Sequence, residues 1–344
     1  APPAAVVAAP IPRAARRPRV GRPRPPRVRV TPIAAMPPAA SGATESPFPR
    51  ELTPLATCAA SSDASYGPPL TVLSWNVLAD GLAQHGRFTR CPPAALEWAA
   101  RRGPVLEEIL AAGADVVCLQ EVNKYDELSA ALSTAGYRGA FFAKPSSPAA
   151  ALGFPADGCA LFWRRDRLEL TSVAGRPFAA QQAGGVNSVQ GLLLATFADT
   201  TDRGRPVAVA CVHLKAKAGP GNDELRGAQA ADAAAALRCA ADAAAAAAPL
   251  HTPPPLLLLA GDFNAGPASE ATAAAAGAGF ASVWGDGGGG RGGAPAPPRA
   301  PAPPAPDTTY KWRDGAFARR CSDYIFVAGG EAVAVRRPPR DVAR

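Results

Sequence analysis

Leu256-Leu257-Leu258-Leu259-Ala260-Gly261-Asp262-Phe263-Asn264 decides how this chain is read. An apolar strand runs directly into a glycine, a carboxylate and a carboxamide. In layered α/β proteins, sites are built at such strand ends. Asp262 and Asn264 are two residues apart, so on an extended segment they point the same way. One can hold a metal or its water while the other grips a neighbouring oxygen. A plain strand-to-loop turn is the competing reading, because Gly, Asp and Asn are also common turn formers.

Four other apolar runs carry polar groups at their ends. Asn76 ends Leu73-Ser74-Trp75, and Glu121 ends Val116-Val117-Cys118-Leu119-Gln120. His213 ends Ala208-Val209-Ala210-Cys211-Val212, and Asp323 opens Tyr324-Ile325-Phe326-Val327. Each alone reads as a turn cap, a solvated acid or a core-edge histidine. If the ends converge on one rim, they form an Asn/Glu/His/Asp/Asn cluster. Oxygen donors with few carboxylates suit Mg²⁺ or Mn²⁺, which bind through one or two acids plus substrate phosphate. His213 and Asn264 would donate hydrogen bonds to the phosphate, and Asp262 would hold the attacking water.

Composition places this cluster in a neutral body. The chain has 344 residues, 48% of them hydrophobic, and a net charge of +8. Residues 1–44 hold eight arginines and no acid, so the remaining 300 residues carry 28 basic and 28 acidic groups. The basic character belongs to an arm, and net charge gives no sign of a nucleic-acid groove in the body. The seven cysteines (Cys58, Cys91, Cys118, Cys159, Cys211, Cys239, Cys321) show no zinc-binding spacing. Several lie in apolar runs as small hydrophobes, a pattern that fits a reducing compartment. No apolar stretch approaches the roughly 18 residues of a membrane span.

Residues 1–66 are rich in Pro, Ala and Arg and are expected to be a disordered arm. Arg-rich, acid-poor composition resembles an organelle transit peptide. A low-complexity tail without an address is the alternative. The expected location is intracellular, in the cytoplasm or, if the arm is imported, in a mitochondrion or plastid. The chain opens on Ala and its one Met is Met36, which leaves open an incomplete start or a start at Met36. Residues 67–344 form the expected domain. Strand-like runs recur at Leu70–Trp75, Asp115–Leu119, Cys159–Trp163, Leu192–Phe197, Val207–Val212, Leu256–Ala260 and Tyr324–Val327. Helical patterns cover Pro92–Ala112, with a break expected at Gly103-Pro104, then Asp126–Ala135 and the Ala-rich Asn222–Ala247. Residues 285–306, nearly all Gly, Pro, Ala and Arg, read as a flexible insert. Neighbouring strands with helices outside them indicate a layered α/β sandwich.

The ordered segments Ser74-Trp75-Asn76-Val77-Leu78, Cys118-Leu119-Gln120-Glu121-Val122, His213-Leu214-Lys215, Gly261-Asp262-Phe263-Asn264 and Ser322-Asp323-Tyr324-Ile325 resemble the motifs of the endonuclease/exonuclease/phosphatase superfamily. Within it the chain resembles the nocturnin and catabolite-repressor-type deadenylase branch. The segments that carry this are Lys144-Pro145-Ser146-Ser147-Pro148, Gly158-Cys159-Ala160-Leu161-Phe162, and His213-Leu214-Lys215-Ala216-Lys217 with Arg226-Gly227-Ala228-Gln229. The resemblance implies a four-layer α/β sandwich of deoxyribonuclease-I type. It implies Glu121 as principal Mg²⁺ ligand with Asn76 and Asp262 close by, and Asn264 and His213 on the scissile phosphate. Lys144, Lys215 and Lys217 would contact substrate phosphates, and Asn187 is a further candidate binder. The implied reaction is hydrolysis of a poly(A) 3′ end in the 3′→5′ direction, or of the 2′-phosphate of NADP(H). A repair nuclease is a third option, against which the balanced charge of the body argues.

One departure qualifies this. The family pattern ends in Ser-Asp-His, and here no histidine follows Asp323; the three present are His85, His213 and His251. The expectation is therefore a chain lacking its C-terminal strand, by truncation or as a catalytically silent nucleotide-binding protein. The leucine-rich repeat that some deadenylases carry does not occur in this sequence. Nothing in the sequence fixes an oligomeric state.

Overall fold

The computed structural model describes residues 29–30, 52–54, 68–83, 88, 90–181, 189–219, 221–284, 308–313, 316–330 and 334–336. Asn187 and the insert at 285–306 lie outside these residues. The strands of the first sheet are β1 (Val72–Asn76), β2 (Val116–Val122), β3 (Tyr137–Ala143) and β4 (Gly158–Arg164). Those of the second are β5 (Leu168–Pro177), β6 (Gly191–Asp199), β7 (Arg205–His213), β8 (Leu256–Asp262) and β9 (Asp323–Ala328). Spatial order is β3-β4-β2-β1 in one sheet and β9-β8-β7-β6-β5 in the other. Arg29–Val30 extends the first sheet beside β3, and Ala281–Ser282 extends the second beside β9.

The pattern of each strand follows from its neighbours. β7 and β8 are covered on both faces, so they read as continuous apolar runs. β5, at the sheet edge, alternates between partly buried and exposed positions. The longer helices are α1 (Trp98–Ala112), α2 (Tyr125–Thr134), α3 (Asn222–Ala247) and α4 (Glu270–Gly277). α1 and α2 pack on the outer face of the first sheet through Val105, Ile109, Leu128 and Leu132. α3 buries Ala230, Ala233, Ala234, Leu237 and Ala241 against the second sheet. That spacing of three, one, three and four is one helical stripe. Its small side chains let the helix axis lie close to the strands. The result is helix, sheet, sheet, helix: the four-layer α/β sandwich.

The core between the sheets includes Phe142, Leu161 and Trp163 from one side and Phe197, Val209 and Leu258 from the other. Cys118, Cys159 and Cys211 are buried in it as free thiols. Gly175 on β5 lets the sheets meet, because a Cβ there would fall 2.4 Å from the Phe142 ring.

Several expectations change. The helix over 92–112 breaks at Glu97, between Pro93–Leu96 and α1, and not at Gly103-Pro104. Pro104 sits inside α1 because Gly103, without a Cβ, relieves the clash of a proline ring with the residue before it. β3, β5 and the hairpin Thr309–Arg313/Ala316–Arg320 lie outside the expected strand runs. Two pieces of the arm, Arg29–Val30 and Leu52–Pro54, are short strands; the second pairs with Ala334–Arg336. Among the described residues no helix is long and apolar enough to cross a membrane.

Candidate functional site

Register brings the strand ends together. β7 and β8 are parallel, with Asp262 opposite His213. β9 runs antiparallel to β8, so the first residue of β9, Asp323, sits opposite Asp262. In the facing sheet, parallel β1 and β2 set Asn76 opposite Gln120, one residue before Glu121. Gly261 is required for this approach: its φ is +152°, and a Cβ would lie 1.9 Å from the Val212 carbonyl oxygen.

Glu121 reaches the rim through backbone distortion. Strand alternation would send it away from Gln120, which is buried between the sheets beside Cys211. A bulge between Leu119 and Val122 and a φ of +57° at Glu121 re-aim the side chain. A non-glycine residue held in the left-handed region is the kind of strain that gathers at functional sites. The carboxylate accepts hydrogen bonds from Asn76 Nδ2 at 2.9 Å and from the Ala79 backbone N–H at 3.2 Å. Leu78, with φ +59°, donates its N–H to Asn76 Oδ1, and Arg101 fixes this loop by donating to the carbonyls of Val77 and Leu78.

The sheets meet at Asn76, whose Nδ2 also donates to Asp262 Oδ2 at 3.1 Å. His213 Nε2 lies 3.9 Å from both Glu121 Oε1 and Asp262 Oδ2. Burial, then the nearby Asp323 carboxylate, push the Asp262 carboxyl above its ordinary value. Burial and the Lys144 ammonium hold the His213 imidazole below its ordinary value, against the pull of Asp262 and Glu121. Asp323 is held by the hydroxyls of Thr308, Thr309 and Ser322, all donating to its Oδ2.

The remaining predicted residues fall in three places. Asn264 is not on the strand as expected: β8 ends at Asp262, and Asn264 has φ +50°. Its N–H donates to Asp262 Oδ1 in a tight turn, and its Nδ2 donates to the Leu214 carbonyl. The Asp and Asn meet at the rim through this turn and not through strand periodicity. Lys215 and Lys217 lie on the loop after β7, Lys217 exposed, and the buried Arg226 donates to the carbonyls of both. Lys144 is buried, its ammonium 2.6 Å from Asp157 and 3.3 Å from His213 Nδ1.

Sequence reasoning missed Asp157, Ser147, Arg101 and Gln229. Three signals were present: Asp157 directly precedes the Gly158–Phe162 segment, Ser147 lies in the Lys144–Pro148 segment, and Gln229 closes the Arg226–Gln229 segment. Gln229, buried on α3, accepts from the Lys215 N–H and donates to the Ala180 carbonyl, tying two site loops.

A model of the Endonuclease/Exonuclease/phosphatase family matches residues 73–343. Nocturnin from Homo sapiens is 35% identical over 210 residues, 60% of this chain and 45% of that protein. Carbon catabolite repressor protein 4 homolog 1 from Arabidopsis thaliana is 40% identical over 131 residues, 36% of this chain and 22% of that protein. The chain thus spans about half the length, or less, of the curated relatives it matches. The human nocturnin catalytic domain, solved with a bound sulfate anion, superposes with a TM-score of 0.58 at 28% identity, covering 81% of this chain and 85% of that one. ANGEL2, described as a 2′,3′-cyclic phosphatase, shares the fold at a TM-score of 0.59 and 19% identity over 78% of this chain and 87% of its own. With the family model covering most of its length and its strand-end residues gathered at one rim, the chain belongs to the Endonuclease/Exonuclease/phosphatase family.

Proposed function

We propose that the chain is a Mg²⁺-dependent phosphoesterase acting on a phosphorylated adenine nucleotide. The observation that carries this is the rim itself. Glu121 and Asp262 turn two carboxylates toward Asn76 and His213, Asp323 stands opposite Asp262 on the next strand, and Lys144 is paired with Asp157. Such a site calls for a cation. Among the described residues no three His, Cys, Asp or Glu side chains form a metal cage. A hard ion such as Mg²⁺ is held by one or two acids, with water and substrate phosphate completing its shell. Glu121 and Asp262 would hold it, with the Asn76 amide between them. The bound cation would supply charge that stabilises a phosphoryl oxygen and the leaving oxygen.

The chain's own groups do the rest. Asp262 accepts a proton from an attacking water. His213 donates from Nε2 to a phosphate oxygen, and Lys215 and Lys217 attract the rest of the anion as flexible cations. Asn264 joins them by exchanging the Leu214 carbonyl for a phosphate oxygen. We place the 2′-phosphate of NADP(H) ahead of the poly(A) 3′ end, a reading supported by the longer likeness to nocturnin.

Purified protein with Mg²⁺ is offered NADP(H) and, separately, an oligoadenylate. Phosphate release from NADP(H) without shortening of the oligoadenylate supports the phosphatase reading, and the reverse result replaces it with a 3′→5′ exonuclease. Tight nucleotide binding with neither reaction marks a silent binding protein.

A further inference from the structure

One buried ionic chain beside the rim takes no direct part in that chemistry. Asp157, fully buried, accepts from Lys144 Nζ at 2.6 Å through Oδ2 and from the Ser147 hydroxyl through Oδ1. Its own N–H donates to Ser147 Oγ, and its carbonyl accepts from the Lys144 N–H at 2.9 Å. The carboxylate is thus locked to both ends of the Lys144–Ser147 turn. The ammonium it holds lies 3.3 Å from His213 Nδ1.

The donor inventory fixes the rest. An ammonium has three donors and no acceptor, so the imidazole nitrogen facing it must accept. A neutral His213 then carries its proton on Nε2, the nitrogen 3.9 Å from Glu121 and from Asp262. A carboxylate placed directly against Nδ1 would select the opposite tautomer, as in many histidine–carboxylate pairs. Here a lysine stands between the two and reverses the outcome.

The geometry points to Asp157 as a positioning residue: through Lys144 it holds His213 as the Nε2–H tautomer, with that N–H turned toward the space between Glu121 and Asp262. Its consequence for turnover rests on the phosphoesterase reading, in which this N–H meets a phosphate oxygen. The tautomer itself does not.

The test uses the full chain with nitrogen-15 histidine, free of substrate. His213 is assigned by the signals lost in His213→Gln. Around neutral pH its Nδ1 is expected to give an unprotonated signal and its Nε2 a protonated one. An Nδ1–H tautomer or an imidazolium overturns the proposal. The double variant Asp157→Asn/Lys144→Met removes both charges of the pair, so no lone ion remains in the core. In it the Nδ1–H tautomer gains population and kcat falls on the order of 100-fold with KM less affected. An unchanged tautomer in the folded double variant also overturns the proposal. If that variant does not fold, the wild-type spectrum decides. An inactive chain with the expected tautomer would remove the phosphoesterase reading and leave this one in place.

Discussion

The two poles of the sandwich treat buried carboxylates in opposite ways. At the pole where β7 begins, Arg167 donates to Asp115 and Asp199 and to the carbonyls of Pro68 and Pro69. Burial pushes the Asp199 carboxyl up, but hydrogen bonds from Arg167 and Thr201 outweigh it and hold the group below its ordinary value. At the pole where β7 ends, Asp262 faces Asp323 and is raised. One pole is bridged from within the chain by Arg167, which ties the sheets together. The other is left anionic around the rim, with its nearby lysine committed to Asp157. The same strands end in a structural clamp on one side and an unbalanced anionic site on the other, which is what an outside cation and phosphate require.

Glu121→Gln gives the largest expected break in this contrast. Turnover should fall roughly a thousandfold or more, the several kcal/mol that a misheld cation forfeits. Melting temperature should stay level, because the change removes charge from a crowded rim. Unchanged turnover would show that the cation is held elsewhere. Arg167→Met tests the other pole. It takes the arginine from the buried Asp199 and the half-buried Asp115, which keep their hydrogen bonds from Thr201 and Thr71, so urea unfolding should show a loss of about 1.5–3 kcal/mol, while turnover per folded molecule stays near wild type. A loss below about 1 kcal/mol would mean the clamp is solvated like a surface pair.

The two poles also differ in how legible they were. The seven apolar runs matched strands because burial on both faces writes itself as unbroken Val, Leu and Ala. Asn76, Glu121, His213, Asp262 and Asp323 were visible as polar stops to those runs, and the resemblance set them in order. Their shared rim depended on register, which pairs Asp262 with His213 and Asp323 across more than one strand. β5 was hidden because an edge strand needs no apolar run. Asp157 and Arg167 were hidden because a buried ion pair looks, in sequence, like ordinary surface charge. Asn264 follows Asp262 by a turn with positive φ and not by the strand alternation its spacing implied.

The same substitution, Asp to Asn, should have different consequences at the two poles, and pH separates them. A depressed carboxyl stabilises the fold above its unfolded value, about 4, and that stability is lost as pH falls through the folded value. Asp199→Asn should therefore cost about 1–2 kcal/mol at neutral pH, the order of a hydrogen bond to a charged group. Its gap to wild type should close below about pH 4. A raised carboxyl works the other way. Its penalty is absent below the unfolded value and grows as pH rises through the folded one. With metal removed by chelation, Asp262→Asn should change stability at neutral pH by less than about 0.5 kcal/mol. Relief of the repulsion from Asp323 offsets the weaker hydrogen bonds with Asn76 and Asn264. Urea titrations of both variants from neutral to acid pH measure the difference. Equal losses at the two positions would mean that the rim carboxylates are as well neutralised as those of the clamp, and the argument for a bound cation would fall with the contrast.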